Sequence, residues 1–290
     1  MTALTFDSPH VPWSAIFNSS QSPSRQEPES GNTLNNMAGA AADKVPHVAL
    51  AFWIIKIAAT TLGETGGDAL SMTMNLGYLL STAIFMVCFI VALAVQVRAK
   101  AFHPFLYWTV IVATTTVGTT MADFADRSLG IGYVGGSLIL FALLMIVLGL
   151  WRYSLGSVSF SHITSPKVEI FYWTTILFSN TLGTALGDFL ADTSGVGYER
   201  GALVFAAGLT LIAAAHFFTR TSHTLLFWAA FILTRPLGAT LGDLLTKPHE
   251  HGGLNLSRIS SSLAIAVFMI GCILFMSQKA GRHPGGHSKS

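Results

Sequence analysis

The sequence predicts an all-α integral membrane protein, with eight transmembrane helices arranged as four parallel two-helix repeats around a pseudo-symmetric axis. Three observations point there. The 290 residues are 51% hydrophobic and only 10% charged, and the mean hydropathy is +0.57, too apolar for a soluble domain. Eight apolar runs of roughly spanning length can be marked, at 48–62, 76–97, 105–121, 134–151, 170–186, 202–218, 225–241 and 259–276. One phrase, a tryptophan followed fifteen residues later by an aspartate, is written four times.

Along the chain, residues 1–45 are rich in Ser, Pro, Asn and Gln and contain no apolar core with a small-residue cleavage site, so they read as a disordered tail rather than a signal peptide. The membrane domain is predicted over 46–278, with repeats near 46–98, 101–153, 166–220 and 221–278, and a second short tail over 279–290. Arg98, Lys100, Arg152, Lys167 and Arg220, followed by Lys279, Arg282 and Lys289, fall in the connections on one side and in the C-terminal tail. By the positive-inside bias that side, with both termini, is cytoplasmic. Arg127, Arg200, Lys247 and Arg258 lie in the opposite connections and weaken the bias. Cys88 and Cys272 both fall within predicted helices, where a thiol reads as a small buried hydrophobe.

The repeat frame is specific. Trp53, Trp108, Trp173 and Trp228 precede Asp68, Asp123, Asp188 and Asp243. Five residues before each aspartate stands a glycine (Gly63, Gly118, Gly183, Gly238), and directly before it a small residue (Gly67, Ala122, Gly187, Gly242). Gly77-Tyr78, Gly132-Tyr133 and Gly197-Tyr198 follow, with Gly252-Gly253 in the fourth copy. The aspartates are 55, 65 and 55 residues apart, and the longer middle gap falls in a Ser-rich connection, as if two halves had been joined. An even number of helices per copy makes the repeats parallel, related by rotation about the membrane normal.

This frame resembles a family of uncharacterised bacterial membrane proteins built from four tandem two-helix repeats, each with a characteristic tryptophan. The resemblance covers about 53–276. It implies the architecture and the bacterial cytoplasmic membrane, and no activity.

The glycines have a packing explanation first: Gly63/Gly67, Gly118/Ala122, Gly183/Gly187 and Gly238/Gly242 are small-xxx-small pairs that let helices approach closely. The tryptophans read as interfacial anchors. Fifteen residues at a rise of about 1.5 Å put Trp and Asp about 22 Å apart, near opposite ends of one helix. Helical spacing places Glu64 and Thr60/Thr61 on the Asp68 face, Thr119 and Thr115/Thr116 on the Asp123 face, and Thr184 and Asn180/Thr181 on the Asp188 face. Four such stripes near a common axis would form an acidic vestibule, with Glu64, Asp68, Asp123, Asp188, Asp243, Thr119, Asn180 and Thr184 as candidate ion ligands. Oxygen donors of this kind suit hard cations such as Mg²⁺, Mn²⁺ or Ca²⁺, with the five acids as the metal ligands.

Lys56 and Arg235 have no charged counterparts in the other copies and are candidate tethered counter-ions; the structural alternative for Arg235 is an ion pair with Glu64 or Asp243 that pins copies one and four together. Pro236 is expected to break the helix hydrogen bonding at that point. Asp126 and Asp192 read as solvated loop starts, with extension of a cation entry site as the alternative, and the His249–His251 stretch reads as a surface loop, with a surface metal contact as the alternative. The ETGGD of copy one looks like the Glu-x-Gly-Asp signature of manganese/calcium cation–proton exchangers, with one extra residue and in one copy only.

The functional expectation is transport of a hard cation, namely export of a divalent Mn-type ion by proton antiport, with the cation as substrate, the lipid bilayer as surroundings and no bound cofactor. The alternatives are a cation channel with a carboxylate ring, an intramembrane enzyme using an Asp-rich Mg²⁺ site, and a non-transporting sensor or assembly protein. Four near-equivalent copies and the absence of a Ser/His/Asp or HExxH arrangement disfavour the enzyme. A net charge of +2 gives nucleic-acid binding no support.

Overall fold

The structure is a computed structural model and describes residues 46, 48–99, 101–155, 166–193, 195–276 and 278. The expected tails, the Ser-rich connection at 156–165, Lys100 and the basic residues from Lys279 onward lie outside the described residues.

Among the described residues the regular elements are all helices. Eight long helices follow one another: α1 (Leu50–Asp68), α2 (Gly77–Arg98), α3 (Pro104–Asp123), α4 (Gly132–Leu155), α5 (Pro166–Asp188), α6 (Tyr198–Phe218), α7 (His223–Thr246) and α8 (Arg258–Phe275). Six of them are long and apolar enough to cross a membrane, and the chain is a multi-pass membrane protein. The other two are α1 and α5, whose hydropathy is lowered by Lys56, Glu64 and Asp68 in one case and by Lys167, Glu169, Asn180, Asp188 and several hydroxyls in the other.

Each α-helix that starts with the tryptophan segment continues through its aspartate. In copies one to three a five-residue π-helical turn follows, at Ala69–Thr73, Phe124–Ser128 and Phe189–Thr193. The wider turn spreads the helix end before the chain reverses. The reversal explains the repeated glycine nine residues after each aspartate. Gly77, Gly132, Gly197 and Gly252 all have φ between 73° and 81°, a left-handed conformation that a Cβ disfavours. Copy four departs from the others: α7 ends at Thr246, Lys247 is extended, and a 3-10 turn at His249–His251 follows. Leu254 and Leu256 then donate backbone hydrogen bonds to the carbonyls of Leu244 and Leu245, at 2.7 and 2.8 Å, satisfying groups that a helix end leaves open.

The odd-numbered helices pack in a closed cycle, α1 on α3, α3 on α5, α5 on α7 and α7 back on α1. The even-numbered helices lie outside, and each packs mainly on the inner helix of the following copy: α2 on α3, α4 on α5, α6 on α7, and α8 back on α1. Ser262 of α8 donates to Thr65 of α1 at 2.8 Å across that last seam. The division of labour is visible in burial. In α3, 67% of the apolar window is buried, against 11% in α2 and α6, whose leucines, valines and isoleucines face outward.

Repeat glycines stand at all four inner seams. A Cβ on Gly63 would overlap Thr115, and one on Gly238 would overlap Thr60. One on Gly118 would lie 3.1 Å from the backbone nitrogen of Thr181, and one on Gly183 2.6 Å from Cγ of Arg235. The partner is thus always at, or next to, the position eight residues before the next aspartate. Gly67, Gly187 and Gly242 carry the same seams one turn further, against Thr119, Ala239 and Glu64.

Several expectations change. Trp108 and Trp173 are completely buried, so these two rings are core residues rather than lipid-facing anchors, and Trp53 and Trp228 are partly buried against the same core. A second aromatic precedes each of them, and across three seams it packs on the next copy's tryptophan: Phe52 on Trp108, Tyr107 on Trp173 and Phe227 on Trp53, with ring centroids 5.5–5.7 Å apart. Pro236 removes one backbone hydrogen bond without ending α7, which runs unbroken through it. Cys88 is exposed on α2 rather than buried, and Cys272 is half-buried on α8.

Candidate functional site

The inner faces of α1, α3, α5 and α7 build the site in layers, beginning under the aromatic end. Lys56 is fully buried, with its Nζ 4.1 Å from the centre of the Phe231 ring and no hydrogen-bond partner. The ring face supplies the attraction that replaces water around the ammonium.

Deeper in, Arg235 projects from α7 into the middle of the helix ring. Its guanidinium reaches all three other inner helices. It donates to Glu64 Oε2 at 3.2 Å and to the Thr60 carbonyl at 3.4 Å on α1, and to Thr119 Oγ1 at 2.7 Å and the Thr115 carbonyl at 3.3 Å on α3. It also donates to the hydroxyl of Thr184 on α5. Glu64 Oε2 additionally accepts from Thr119 at 3.0 Å. The hydroxyl stripe therefore solvates a buried ion pair, which would be costly without such donors and acceptors. Asn180, at the same register as Arg235, turns aside and donates to Thr114 Oγ1 at 3.0 Å.

The aspartates form the last layer, all four buried. Lys247, four residues after Asp243, places its Nζ 3.0 Å from Asp68 Oδ2 and 3.1 Å from Asp243 Oδ1. Arg258 approaches Asp68 Oδ2 at 3.5 Å. Arg127, four residues after Asp123, lies 3.1 Å from Asp123 Oδ1 and 3.7 Å from Asp188 Oδ2. Its Nε–H is directed to Tyr133 Oη and its Nη1 to Tyr78 Oη, both at 3.2 Å, so the Asp123 contact is one of charge proximity and not of an aligned hydrogen bond. Lys247 is held protonated: burial lowers the pKa of its ammonium, but the adjoining Asp243 and Asp68 carboxylates more than offset this and raise it well above the ordinary lysine value.

The four acidic helix ends thus meet, but they do not form a bare anionic vestibule. Each of Glu64, Asp68, Asp123, Asp188 and Asp243 contacts a basic side chain. Glu64, Asp68 and Asp243 also offer oxygens within 4.8 Å of one another, the spacing of a possible metal ligand set. Asp68 Oδ1 is buried with no hydrogen-bond partner. Asp123 and Asp188 are not in that group; Thr119 and Thr184 meet the Arg235 guanidinium, and Asn180 pairs with Thr114.

Arg127, Lys247 and Arg258, expected in the connections, instead reach the aspartate layer. For Arg127 and Lys247 a signal existed, because Asp-x-x-x-Arg and Asp-x-x-x-Lys are i,i+4 pairs at the repeat aspartate. For Arg258, at the start of α8, there was none. Asp126 is buried rather than solvated. The side chain of Asp192 and that of His251 lie outside the described residues. His249 Nδ1 is 2.8 Å from the Gly253 carbonyl, a contact local to its loop.

A family model described as Repeat of Unknown Function (DUF347) matches four consecutive segments, residues 51–102, 106–156, 171–222 and 226–279. The chain belongs to the DUF347 family. Each matched segment contains one inner and one outer helix of the cycle, so one DUF347 repeat is one helical hairpin whose outer helix packs on the next repeat. No curated protein and no solved structure matches the chain.

Proposed function

We propose that this DUF347 protein is a membrane transporter for a hard cation, with a divalent Mn-type ion as substrate and proton antiport as the coupling. In this reading all eight long helices span the bacterial cytoplasmic membrane around a pseudo-fourfold axis, with both termini cytoplasmic. The observation that carries the reading is the buried Glu64–Asp68–Asp243 cluster, whose oxygens lie within 4.8 Å of one another and whose Asp68 Oδ1 has no hydrogen-bond partner. Buried carboxylates inside a membrane bundle are costly and are characteristic of ion pathways.

The basic side chains define the closed state of this mechanism. Lys247 occupies the Asp68–Asp243 side of the cluster and Arg235 holds Glu64. An entering divalent ion displaces the Lys247 ammonium and takes the carboxylate oxygens that it leaves. On departure the ammonium or protons restore neutrality, which is the competition that antiport requires.

The test is flux into proteoliposomes of the purified protein, with Mn²⁺, Mg²⁺, Ca²⁺, Na⁺ and K⁺ offered in turn and an internal pH dye as the second readout. Divalent uptake with proton release, lost in Asp68→Asn, is the expected result. A correctly folded protein that moves none of these ions under either pH gradient would eliminate the proposal. That outcome would favour a second reading, a non-transporting assembly or sensor protein, for which the pairing of every ring carboxylate with a cation supplies the support.

A further inference from the structure

Asp126 stands apart from the ion-pair layer. It lies in the π-helical turn after α3, is 5% exposed, and neither carboxyl oxygen has a hydrogen-bond partner. Its Oδ1 sits against Gly136 of α4, in space that a Cβ at 136 would occupy. The slot is a repeat position, three residues after each aspartate, and the other copies fill it with Ser71, Ala191 and Thr246, all buried. In copy three Ala191 packs on Gly201, which corresponds to Gly136. A small neutral residue therefore meets every packing need of the slot.

The hydroxyl copies show what the slot offers a polar group. Ser71 donates to the Gly67 carbonyl at 2.8 Å, and Thr246 donates to the Gly242 carbonyl at 3.0 Å, each four residues back. In both of these copies the helix end thus supplies a backbone acceptor. An ionised carboxylate has no proton to give it, and burying that charge unsolvated is strongly unfavourable. A protonated carboxyl regains the donor that Ser71 and Thr246 have.

We propose that Asp126 is a proton-binding site of the second repeat, a neutral buried carboxyl set beside the Arg127 bridge. The charged group next to it is Arg127, whose own partners are Asp123 on α3, Tyr133 on α4, Tyr78 on α2 and Asp188 on α5. Loss of the proton places a negative charge next to Arg127 and weakens its hold on Asp123 and Asp188. Binding of the proton restores that hold. The site deepens the antiport reading by naming a residue for its proton, and it is tested apart from transport.

Infrared difference spectra of the full-length protein in lipid vesicles, recorded over a pH titration, read the carbonyl stretch of protonated carboxyls directly. The expected result is a band in the wild type that fades as pH rises. It is missing from Asp126→Asn and from Asp126→Ser, a variant that copies the Ser71 slot and guards against misfolding, and it persists in Asp123→Asn. A band undiminished in Asp126→Asn or Asp126→Ser overturns the proposal, as does one removed by Asp123→Asn and retained in Asp126→Ser. The readout is independent of flux, so a protein that moves no cation can still show the proton site, and a cation transporter can still lack it.

Discussion

Arg127 and Lys247 stand at the same place in the repeat, four residues after the aspartates of copies two and four, and each reaches from its own copy to the next. Arg127 joins Asp123 to Asp188, and Lys247 joins Asp243 to Asp68. Their surroundings differ. The Arg127 side chain is 27% exposed and spends two N–H groups on tyrosine hydroxyls, whereas Lys247 is nearly buried and is accompanied by Glu64, Arg235 and Arg258. Equivalent positions have become a partly open clamp at one seam and a dense cluster at the other. The repeat supplies a common frame, and the unlike charged residues gather at the fourth-to-first seam.

The sharpest way to break that distinction is to remove Arg235. Arg235→Met leaves Glu64 buried without its cation and should cost about 3–5 kcal/mol, read by chemical denaturation in detergent. The double variant Arg235→Met with Glu64→Gln should recover most of the loss, because no unpaired charge then remains. Equal losses in the single and double variants would mean that the guanidinium acts through packing alone.

The bridges themselves come next. Lys247→Met should lower stability by about 2 kcal/mol, the scale of a hydrogen bond to a charged group. Arg127→Met should lower it by about 1 kcal/mol or less, as expected for a partly exposed pair. The reverse order would erase the contrast between the seams.

Glycine substitutions test the close contacts at a smaller scale. Gly63→Ala forces Thr115 to shift and should cost about 1–3 kcal/mol. Gly66→Ala, with nothing within 4 Å of the added methyl, should stay within about 0.5 kcal/mol.

The mildest effect is that of pH on Lys247. Its folded-state pKa is raised by Asp243 and Asp68 against the opposing effect of burial. Its stabilisation is therefore fully present below the ordinary lysine pKa and is lost as pH rises through the raised one. Wild type and Lys247→Met should differ in stability at neutral pH and converge only under strongly alkaline conditions.

The repeat was legible in the sequence because it is periodic. The tryptophan-to-aspartate spacing, the seam glycines and the glycine before each outer helix recur in register, and the helical hairpins follow from them. The stripe of Thr60, Thr115, Thr119 and Thr184 was legible too, since helical spacing puts them on the acid side. What the sequence hid was pairing between copies. Nothing local indicates that α2 packs on α3 rather than folding back along α1, or that Arg258 reaches Asp68. Polarity near a chain reversal also misled: Arg127, Lys247 and Asp126 read as connection residues, yet the π turns and the Lys247 segment carry them inward. The tryptophans misled in the other direction, because an aromatic at a helix end looks like an anchor until a neighbouring copy covers it.

In the proposed mechanism Lys247 occupies a cation site made by Glu64, Asp68 and Asp243. The most direct measurement is Mn²⁺ binding to the purified full-length protein, followed by paramagnetic resonance, in the wild type, Lys247→Met and Asp68→Asn. The expected result is binding at least about tenfold tighter in Lys247→Met, or about 1.4 kcal/mol, and its loss in Asp68→Asn. Binding absent in all three, or unchanged by either substitution, would contradict it.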